Sequence, residues 1–348
     1  MFDHPSFDGH ERVVFGHDRA TGLHAIVAVH STARGPGAGG CRFWAYPSSD
    51  AALTDALRLS RGMSYKNAMA NLPLGGGKAV VVLDPRRPKT QQMLEAFGRL
   101  VDSLGGIYIT AEDVGASVAD MEVIATQTRY VSGLPRTAVD SDGNPGPKTA
   151  LGVHLGIKAA VAFQLGRTDL NGLTMAVQGL GGVGYELCRL LAADGARLRV
   201  ADIRPEVVQR ACKEFGATAS TAESILFERA DVIAPCALGA VFDGTTIPRL
   251  RTTIIAGAAN NQLARAEDGA RLHSAGVLYA PDYVINAGGI ISVGREYLGN
   301  ATARSIEQEI HGIPGRLTAI FERSKRANRP TSEIADEMAR ELIQEARR

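Results

Sequence analysis

The sequence predicts an α/β protein of two domains, and three observations support this. Its 348 residues are too many for one typical core, and 45% of them are apolar, which is enough to fill two cores. Short β-branched segments alternate with amphipathic helical segments along most of the chain. The glycine-rich segment 179–184 follows a predicted strand and opens a predicted helix, but it comes only near the middle of the chain. A separate domain therefore precedes it, and we expect a cleft between the two domains.

The first domain is predicted over residues 1–135. Alternating polarity indicates strands, and apolar residues spaced three or four positions apart indicate helices. A helix that runs on from Asp50 is predicted to end before Lys66, which places that lysine in a loop. The predicted elements are a hairpin over 11–30, the helix over 50–63, strands over 79–83 and 107–110, a helix over 90–104, and a helix that opens at Ser117.

The second domain is predicted over residues 145–325, after a Pro-, Gly-, Ser- and Asp-rich crossover at 132–148. Thr149 is expected to open its first helix. The repeated order of strand, turn and helix predicts a doubly wound parallel sheet, with strands over 173–178, 197–203, 231–234, 252–256 and 277–280. The last 45 or so residues predict two amphipathic helices, and the segment from about 325 to 348 can pack back on the first domain.

Composition excludes several classes of function. A net charge of +1, 5% aromatic residues and scattered basic residues disfavour nucleic-acid binding. No apolar run approaches the length of a membrane span, and the polar N-terminus does not resemble a signal peptide. The four cysteines have no zinc-type spacing, so we expect no metal, a reduced cytoplasmic location, and buried thiols at Cys188 and Cys212.

The glycine segment has the context of a dinucleotide-binding loop. Gly179 permits the tight turn, Gly181 lets the backbone approach a pyrophosphate, and Gly184 allows a helix to pack against the strand. Asp202 ends the next predicted strand, 18 residues after Gly184, where a carboxylate that binds the adenosine ribose is expected. That carboxylate favours NAD, whereas the neighbouring Arg204 leaves NADP as the alternative.

Charged residues in the first domain predict its chemistry. Lys78 follows Gly75-Gly76-Gly77 and leads into a predicted strand, which places its ammonium against closely packed backbone. Lys66 is suited to pairing with a substrate carboxylate. An acidic turn supplies a proton carrier beside Lys78, but the spacing does not distinguish Asp113 from Glu112.

Seven motifs taken together resemble the glutamate/leucine/phenylalanine/valine dehydrogenase family, and most closely its leucine and phenylalanine dehydrogenases. The resemblance covers roughly residues 10–325. It implies reversible oxidative deamination, in which an L-amino acid, NAD and water give a 2-oxo acid, ammonia and NADH. It also implies a homo-oligomer of two, four or eight subunits. In chain order the motifs are PGAGGCRFWAY, ALRLSRGMSYKNAMANLPLGGGKAVV, TAEDVG, VQGLGGVG, APCALGA, AGAANNQL and APDYVINAGG.

The resemblance also implies roles for individual residues. Lys66 is similar to the lysine that binds the substrate carboxylate, together with the backbone at Gly39 and Gly40. Lys78 is similar to the lysine that activates water, and Asp113, rather than Glu112, to the general acid/base. The expected cofactor-binding residues are Thr149, Gly179, Leu180, Gly181, Gly182, Val183, Gly184, Asp202, Ile203, Cys236, Ala237 and Asn260, while Asn261 lies toward the substrate.

The expected side-chain pocket contains no charged residue and therefore disfavours glutamate as substrate. Its residues are Ala38, Gly39, Met63, Ala111, Ile290 and Val293. The resemblance implies that leucine-type enzymes carry a leucine at the position of Ala38, so the small alanine here favours aromatic substrates. The segments NPGP and NAGGIISV, in contrast, are similar to leucine-type sequences. Aromatic and branched-chain substrates both stay open. Two rival interpretations are a catalytically silent NAD- or metabolite-binding protein, and a 2-hydroxy-acid or other NAD dehydrogenase with His154 as its candidate catalytic residue.

Overall fold

The protein is described by a computed structural model over residues 2–134, 145–299 and 302–348. The chain divides into two compact units, each built on a six-stranded sheet. Each unit includes segments that are distant in sequence. The first unit comprises Met1–Gly143, Val293–Ala303 and Ala339–Arg348, and the second comprises Asn144–Ser292 and Arg304–Met338.

The sheet of the first unit has the order β1-β2-β5-β3-β6, and β4 also pairs with β5. β1 and β2 form the antiparallel hairpin predicted from the alternation of residues 11–30. β5 is central: it is antiparallel to β2 and parallel to β3 and β4, so its residues are almost all buried. The strands are β1 Arg12–Asp18, β2 Leu23–Ser31, β3 Gly37–Ala38, β4 Cys41–Trp44, β5 Gly75–Val82 and β6 Tyr108–Ile109.

Three helices of the first unit begin at polar caps. The side chains of Ser48, Thr90 and Ser117 each accept a hydrogen bond from a backbone N–H in the first turn of the helix that follows. At Ser117 the bond is reciprocated by Asp120, which completes a capping box. The helices are α1 Ser49–Met69, α2 Gln91–Ser103 and α3 Val118–Ala125.

Helix α1 packs very closely on β5. A Cβ at Gly76 would clash with the backbone N and the Oγ of Ser64 and with the carbonyl of Ser60. The absence of a side chain at Gly76 therefore lets the helix backbone rest directly on the strand. On the opposite face of the sheet, α2 and α3 cover an apolar core that includes Phe43, Phe97 and Tyr108.

The second unit carries the doubly wound parallel sheet that the sequence predicts. Its order is β12-β11-β10-β7-β8-β9, and every neighbouring pair is parallel. The chain thus reverses its direction of growth between β7 and β10, the place where ligands bind in such sheets. The strands are β7 Thr174–Gln178, β8 Arg197–Ala201, β9 Thr218–Ala219, β10 Val232–Pro235, β11 Ile254–Ile255 and β12 Leu278–Tyr279.

The remaining helices connect these strands or come before or after the strands in the chain. Two divisions between the units fall inside α9 and α12, and another separates Ala303, the first residue of α10, from the rest of that helix. The helices are α4 Gly146–Leu165, α5 Gly182–Ala193, α6 Pro205–Phe215, α7 Glu267–Ser274, α8 Asp282–Ile285, α9 Gly288–Leu298, α10 Ala303–Ile310, α11 Ile313–Ala327 and α12 Thr331–Glu345. Within the three described ranges, none of the helices combines the length and apolar character needed to span a membrane.

Several predictions about individual elements are wrong. Lys66 lies in the last turn of α1, because the helix continues through polar residues that pack on the glycines of β5. Lys78 is inside β5, which begins at Gly75. The C-terminal segment forms three helices, since Gly312 and the turn at Asn328 interrupt it. Helix α4 begins at Gly146 before Thr149, and most of the predicted crossover, 135–144, lies outside the described residues.

The cysteines are free thiols at all four positions. Cys188 is buried in α5, as expected, whereas Cys212 on α6 is only half-buried. The expectation of a buried thiol at Cys212 is therefore wrong, because the face of α6 that packs on the sheet carries Val208 and Ala211.

Candidate active site

The first unit brings Lys78 and Asp113 together as an ion pair. The Nζ of Lys78 contacts Asp113 Oδ2, and their side chains are only 9% and 15% exposed. Lys78 projects from the middle of β5, opposite Ala28 of β2, whereas Asp113 lies in the turn after β6. The backbone N–H of Val114 donates a hydrogen bond of 2.6 Å to Asp113 Oδ1. One carboxylate oxygen is therefore held by the turn and the other faces the ammonium.

A second cation, Arg42, also faces Asp113. Arg42 Nη2 lies 3.6 Å from Asp113 Oδ2, and its Nη1 donates a hydrogen bond of 2.9 Å to Asp55 on α1. Tyr46 OH donates to the same Asp55 oxygen at 2.5 Å. Burial raises the pKa of Asp113, but Lys78 and then Arg42 lower it further, so that the pKa lies below its usual value. The carboxylate is therefore ionised at neutral pH.

Glu112 is exposed, in contrast to its neighbour. Partial burial, followed by repulsion from Asp120, raises the pKa of Glu112 above its ordinary value. Successive residues in an extended turn point in different directions, and only Asp113 reaches Lys78. The geometry thus distinguishes two residues that sequence spacing left equivalent.

Glycines 39 and 40 form the backbone beside this pair. A Cβ at Gly39 would meet the carbonyl of Gly77 and lie 2.9 Å from Met63 Cγ, and one at Gly40 would lie 2.9 Å from Asp113 Cβ. Tyr108 OH donates a hydrogen bond of 2.8 Å to the Gly39 carbonyl. The absence of side chains therefore lets this backbone lie directly against the Lys78–Asp113 pair.

The other predicted residues of the first unit lie on β3, after β6, on α1 and on α9. Ala38 is buried in β3 and pairs with Gly76 and Ile109, and the Ala111 carbonyl accepts a hydrogen bond of 2.8 Å from Cys41 N. Met63 and Lys66 are one turn apart on α1, which places them on one face of the helix. Val293 belongs to this unit as well, and its carbonyl accepts a hydrogen bond of 3.2 Å from Ser132 Oγ.

The second unit presents the glycine loop between β7 and α5. Gly179 has a φ of +93°, which only glycine adopts readily, and its turn packs against the backbone of Ala237. A Cβ at Gly184 would clash with the Gly179 carbonyl and lie 3.1 Å from Cys236 Cβ. Gly181 and Gly182 are exposed, and a Cβ at either would meet nothing within 4 Å. The loop therefore combines a tightly packed base with an open tip.

This open tip fits a dinucleotide. Gly181 is the N-cap of α5 and offers no side-chain hydrogen bond to the first N–H groups of the helix, which are free to bind an anion. Asp202 follows β8 directly, and its Oδ2 accepts a hydrogen bond of 2.6 Å from Leu180 N. Ile203, beside it, is 87% exposed and offers an apolar surface. Leu180 is buried and Val183 half-buried at the base of the loop.

Further predicted residues of the second unit lie in the segments that follow β10 and β11. Cys236 N donates a hydrogen bond of 2.7 Å to the Gln178 carbonyl, and burial raises the pKa of the Cys236 thiol to about 12, which disfavours a nucleophilic thiolate. Asn260 Oδ1 accepts a hydrogen bond of 2.7 Å from Asn286 Nδ2. Asn261 adopts a left-handed φ of +52°, and its carbonyl accepts a bond of 2.6 Å from Ala240 N.

Thr149 lies in the first turn of α4, next to the start of α9. Its Oγ1 donates a hydrogen bond of 2.9 Å to the Pro145 carbonyl, and a Cβ at Gly289 would lie 2.6 Å from that same Oγ1. Ile290 follows in α9 and is half-buried. The rival candidate His154 is engaged elsewhere: its Nε2 lies 2.9 Å from Asp194 Oδ2, an oxygen that Lys158 also contacts.

Four residues of these sites were not predicted from the sequence. Arg42, Asp55 and Tyr46 form the network behind Asp113, and Asn286 orients Asn260. A charged residue inside the motif PGAGGCRFWAY was a possible signal for Arg42. Asp55 gave none, because an acidic residue on a surface-like helix is ordinary.

Known proteins resemble the chain over nearly its whole length. Residues 10–130 match the family model for the Glu/Leu/Phe/Val dehydrogenase dimerisation domain, and residues 198–347 match that for Glutamate/Leucine/Phenylalanine/Valine dehydrogenase. Leucine dehydrogenase of Bacillus subtilis (strain 168) is 48% identical over 97% of this chain and 93% of its own. Valine dehydrogenase of Streptomyces coelicolor is 43% identical over 99% of this chain and 95% of its own.

A solved structure agrees with these sequence matches. The crystal structure of L-tryptophan dehydrogenase from Nostoc punctiforme matches with a TM-score of 0.87 and 43% identity, and the match covers 97% of both chains. The predicted two-domain α/β architecture with a parallel dinucleotide-type sheet is confirmed. The family inferred from the seven motifs is confirmed as well, and the chain belongs to the Glu/Leu/Phe/Val dehydrogenase family of amino acid dehydrogenases.

Proposed function

We propose that this protein catalyses the NAD-dependent, reversible oxidative deamination of an apolar L-amino acid. The substrate, NAD⁺ and water give a 2-oxo acid, ammonium, NADH and a proton. The observation that carries the proposal is the buried Lys78–Asp113 ion pair beside the bare backbone of Gly39 and Gly40. We assign residues 1–135 to the substrate domain, with 325–348 packing on it, and residues 145–325 to the NAD-binding domain.

Residues of the second unit are assigned to the dinucleotide. The open N-terminal end of α5, at Gly181 and Gly182, suits the pyrophosphate of the dinucleotide. Asp202 suits the hydroxyls of the adenosine ribose. Asn260, Thr149, Cys236 and Ala237 are assigned to the nicotinamide end. When bound, NAD supplies the acceptor for the hydride that leaves the substrate Cα.

Lys66 is assigned to the substrate carboxylate, with the backbone of Gly39 and Gly40. An ammonium in the last turn of a long helix is held by a rigid element, which favours a fixed substrate orientation. Asn261 is assigned to the substrate side of the same reaction centre. Orientation matters because hydride transfer requires the Cα–H bond to point at its acceptor.

Lys78 and Asp113 are assigned to the proton transfers. The Asp113 carboxylate is ionised at neutral pH and can take a proton from the substrate ammonium. As the hydride leaves Cα, the electron pair of the nitrogen forms a C=N bond. Water adds to that carbon and releases one proton to solvent, and Asp113 returns its proton to the nitrogen. The C–N bond then breaks and ammonia leaves, while the hydroxyl group loses its proton and becomes the C=O group. Lys78 stabilises the oxygen during these steps, and ammonia takes up one of the two released protons.

The apolar substrate follows from the lining of the assigned pocket. Ala38, Gly39, Met63, Ala111, Ile290 and Val293 carry no charge that could pair with a glutamate side chain. Three relatives are named leucine, tryptophan and valine dehydrogenase, and each of these names gives an apolar amino acid as the substrate. Aromatic and branched-chain substrates both suit such a lining.

One assay tests this function. The absorbance of NADH at 340 nm is followed with each of the twenty L-amino acids, and kcat/KM is compared for L-Phe, L-Leu, L-Val and L-Glu. We expect the apolar amino acids to exceed L-Glu by at least tenfold, since an unpaired buried carboxylate costs several kcal/mol. Highest activity on L-Glu would refute the apolar pocket, and no NADH with any amino acid would support a silent binding protein.

We further propose a cytoplasmic homo-oligomer that acts on small molecules. The N-terminal family model that matches residues 10–130 is described as a dimerisation domain, which supports association of this region. Light scattering coupled to size exclusion tests the oligomer. A single peak at the 36.8 kDa mass of one chain would contradict it.

A further inference from the structure

The peptide group between Gly39 and Gly40 has an unpaired N–H. Gly40 is buried, yet its N–H donates to no acceptor among the residues that the structure describes. The N–H groups on either side are paired: Gly39 N donates to the Ile109 carbonyl at 3.1 Å, and Cys41 N to the Ala111 carbonyl at 2.8 Å. A buried N–H without a partner costs about as much free energy as a lost hydrogen bond, so such groups are rare. This N–H is therefore suited to a ligand that accepts a hydrogen bond.

The carbonyl of the same peptide group is held by Tyr108. Tyr108 OH donates a hydrogen bond of 2.8 Å to the Gly39 oxygen. Within the described ranges, no other group donates to that oxygen. The orientation of this peptide group thus depends on one hydroxyl.

The Tyr108 hydroxyl is fixed and keeps its proton. The side chain is fully buried, and its ring lies so close to the strand β5 that a Cβ at Gly77 would be 2.6 Å from Tyr108 Cδ2. The oxygen also lies 3.3 Å from the Gly40 carbonyl and 3.3 Å from Thr110 Oγ1. Burial raises the pKa of Tyr108 well above its ordinary value. The hydroxyl is therefore a permanent donor to the backbone.

The geometry of a peptide group connects these two observations. In a trans peptide the C=O and the N–H point in opposite directions. Because Tyr108 binds the Gly39 carbonyl, the Gly40 N–H points away from the tyrosine. The two flanking residues are glycines, so no Cβ hinders rotation of the peptide group between them. Without the hydroxyl, this N–H loses its fixed direction.

We propose that Tyr108 is a positioning residue for substrate binding: its hydroxyl fixes the peptide group so that the Gly40 N–H donates a hydrogen bond to the substrate carboxylate. The proposal rests on the proposed function, which assigns that carboxylate to Lys66 and to the backbone of Gly39 and Gly40. Tyr108 itself does not touch the substrate. It acts by preorganisation, since a donor that is already oriented loses less entropy when the ligand binds.

The test measures the binding of two fragments of L-Leu by calorimetry, on the full-length protein saturated with NADH. One fragment, 4-methylpentanoate, keeps the carboxylate and lacks the amino group, whereas 3-methylbutylamine keeps the amino group and lacks the carboxylate. In Tyr108→Phe we expect the Kd of 4-methylpentanoate to rise by about tenfold, the lower range for a hydrogen bond to a charged group. The Kd of 3-methylbutylamine should stay within about twofold. The corresponding fragments of L-Phe, 3-phenylpropanoate and 2-phenylethylamine, give the same comparison.

The matched control is Tyr279→Phe. Tyr279 is also buried, and its hydroxyl accepts a hydrogen bond of 3.3 Å from the backbone N–H of Asp282, in the second unit. Removal of this hydroxyl should leave the Kd of both fragments within about twofold of the native value. Partial unfolding of either variant does not affect the test, because the two Kd values are compared on one sample and depend equally on the folded fraction.

Three outcomes would overturn the proposal. In Tyr108→Phe, these are an equal rise in Kd for both fragments, which indicates a general loss of structure, and no change in either. The third is a native protein that binds neither carboxylate fragment. The deamination assay on the native chain separates this proposal from the proposed function. If that chain forms NADH from apolar amino acids while Tyr108→Phe leaves the ratio of the two Kd values unchanged, only the role of Tyr108 is refuted.

Discussion

The ammonium of Lys78, in the middle of the central strand β5, pairs with the carboxylate of Asp113, in the turn after β6. If this pair carries the proton transfers, Lys78→Ala and Asp113→Asn should each lower kcat by about 10² to 10⁴. Binding of NADH, measured by fluorescence, should persist because the glycine loop belongs to the other unit.

The matched control for that prediction is Lys158→Ala. Lys158 also forms an ion pair, at 2.9 Å with Asp194, but in the second unit and away from the loop. Its kcat should stay within about twofold of the native value. Loss of NADH affinity in Lys78→Ala, with kcat preserved, would contradict the domain assignment.

Arg42 should set the pH range in which Asp113 works. Because its guanidinium lies 3.6 Å from Asp113 and lowers the pKa of that carboxyl, Arg42→Gln should raise the pKa. The acidic limb of the kcat/KM profile then moves to higher pH by about 0.5–1 unit. Arg86→Gln, which removes an exposed arginine paired with Asp84, should leave the profile unchanged. A native profile in Arg42→Gln would show that Arg42 has no influence on Asp113.

Ala38 should influence the choice between aromatic and branched-chain substrates. Its side chain is buried in β3, directly beside Gly39, so a larger residue takes volume from the assigned pocket. Ala38→Leu should lower the ratio of kcat/KM for L-Phe over L-Leu by about tenfold. Thermal unfolding of Ala38→Leu checks that the variant is folded. An unchanged ratio in a stable variant would remove Ala38 from the pocket.

Two glycines of the first unit should respond oppositely to alanine. At Gly76 a Cβ clashes with the backbone of α1, so Gly76→Ala should destabilise the protein by about 1–3 kcal/mol or more. At Gly62, inside α1 and exposed, a Cβ meets nothing within 4 Å, so Gly62→Ala should stabilise it by about 0.5–1 kcal/mol. Urea unfolding measures both. Equal effects would refute the tight packing of α1 on β5.

His30 should make stability depend on pH. It is buried, its Nδ1 lies 2.8 Å from Ser64 Oγ, and burial followed by repulsion from His10 lowers its pKa from 6.5 to about 4. As pH falls, the unfolded chain therefore binds the proton before the folded chain does. The contribution of His30 to the free energy of unfolding is thus present above pH 6.5 and is lost as pH falls toward 4.

The measurement compares the native chain with His30→Gln, which does not titrate. The free energy of unfolding of the native chain should fall by roughly 2–3 kcal/mol more than that of the variant between pH 7 and pH 4.5. Parallel curves would show that His30 does not change protonation on folding. Asp8 and Arg61 also face the ring, but they remain in both proteins.

Most of the architecture could be predicted from the sequence because it follows from local patterns. The hairpin of β1 and β2, the parallel sheet and the loop from Gly179 to Gly184 each depend on residues close together in the chain. The same holds for the cap at Ser117, where donor and acceptor are three residues apart. The motifs that predict the family also lie within short segments.

The tertiary structure decided how distant groups meet. Lys66 is helical because α1 rests on glycines of β5, a contact that no local pattern contains. Asp113 rather than Glu112 reaches Lys78 because the turn after β6 aims one side chain inward. The ion pairs of Arg42 with Asp55 and of Arg204 with Asp202 likewise depend on the direction of their side chains. Residue order specifies which groups are available, whereas packing sets their distances, and electrostatic interactions depend on those distances.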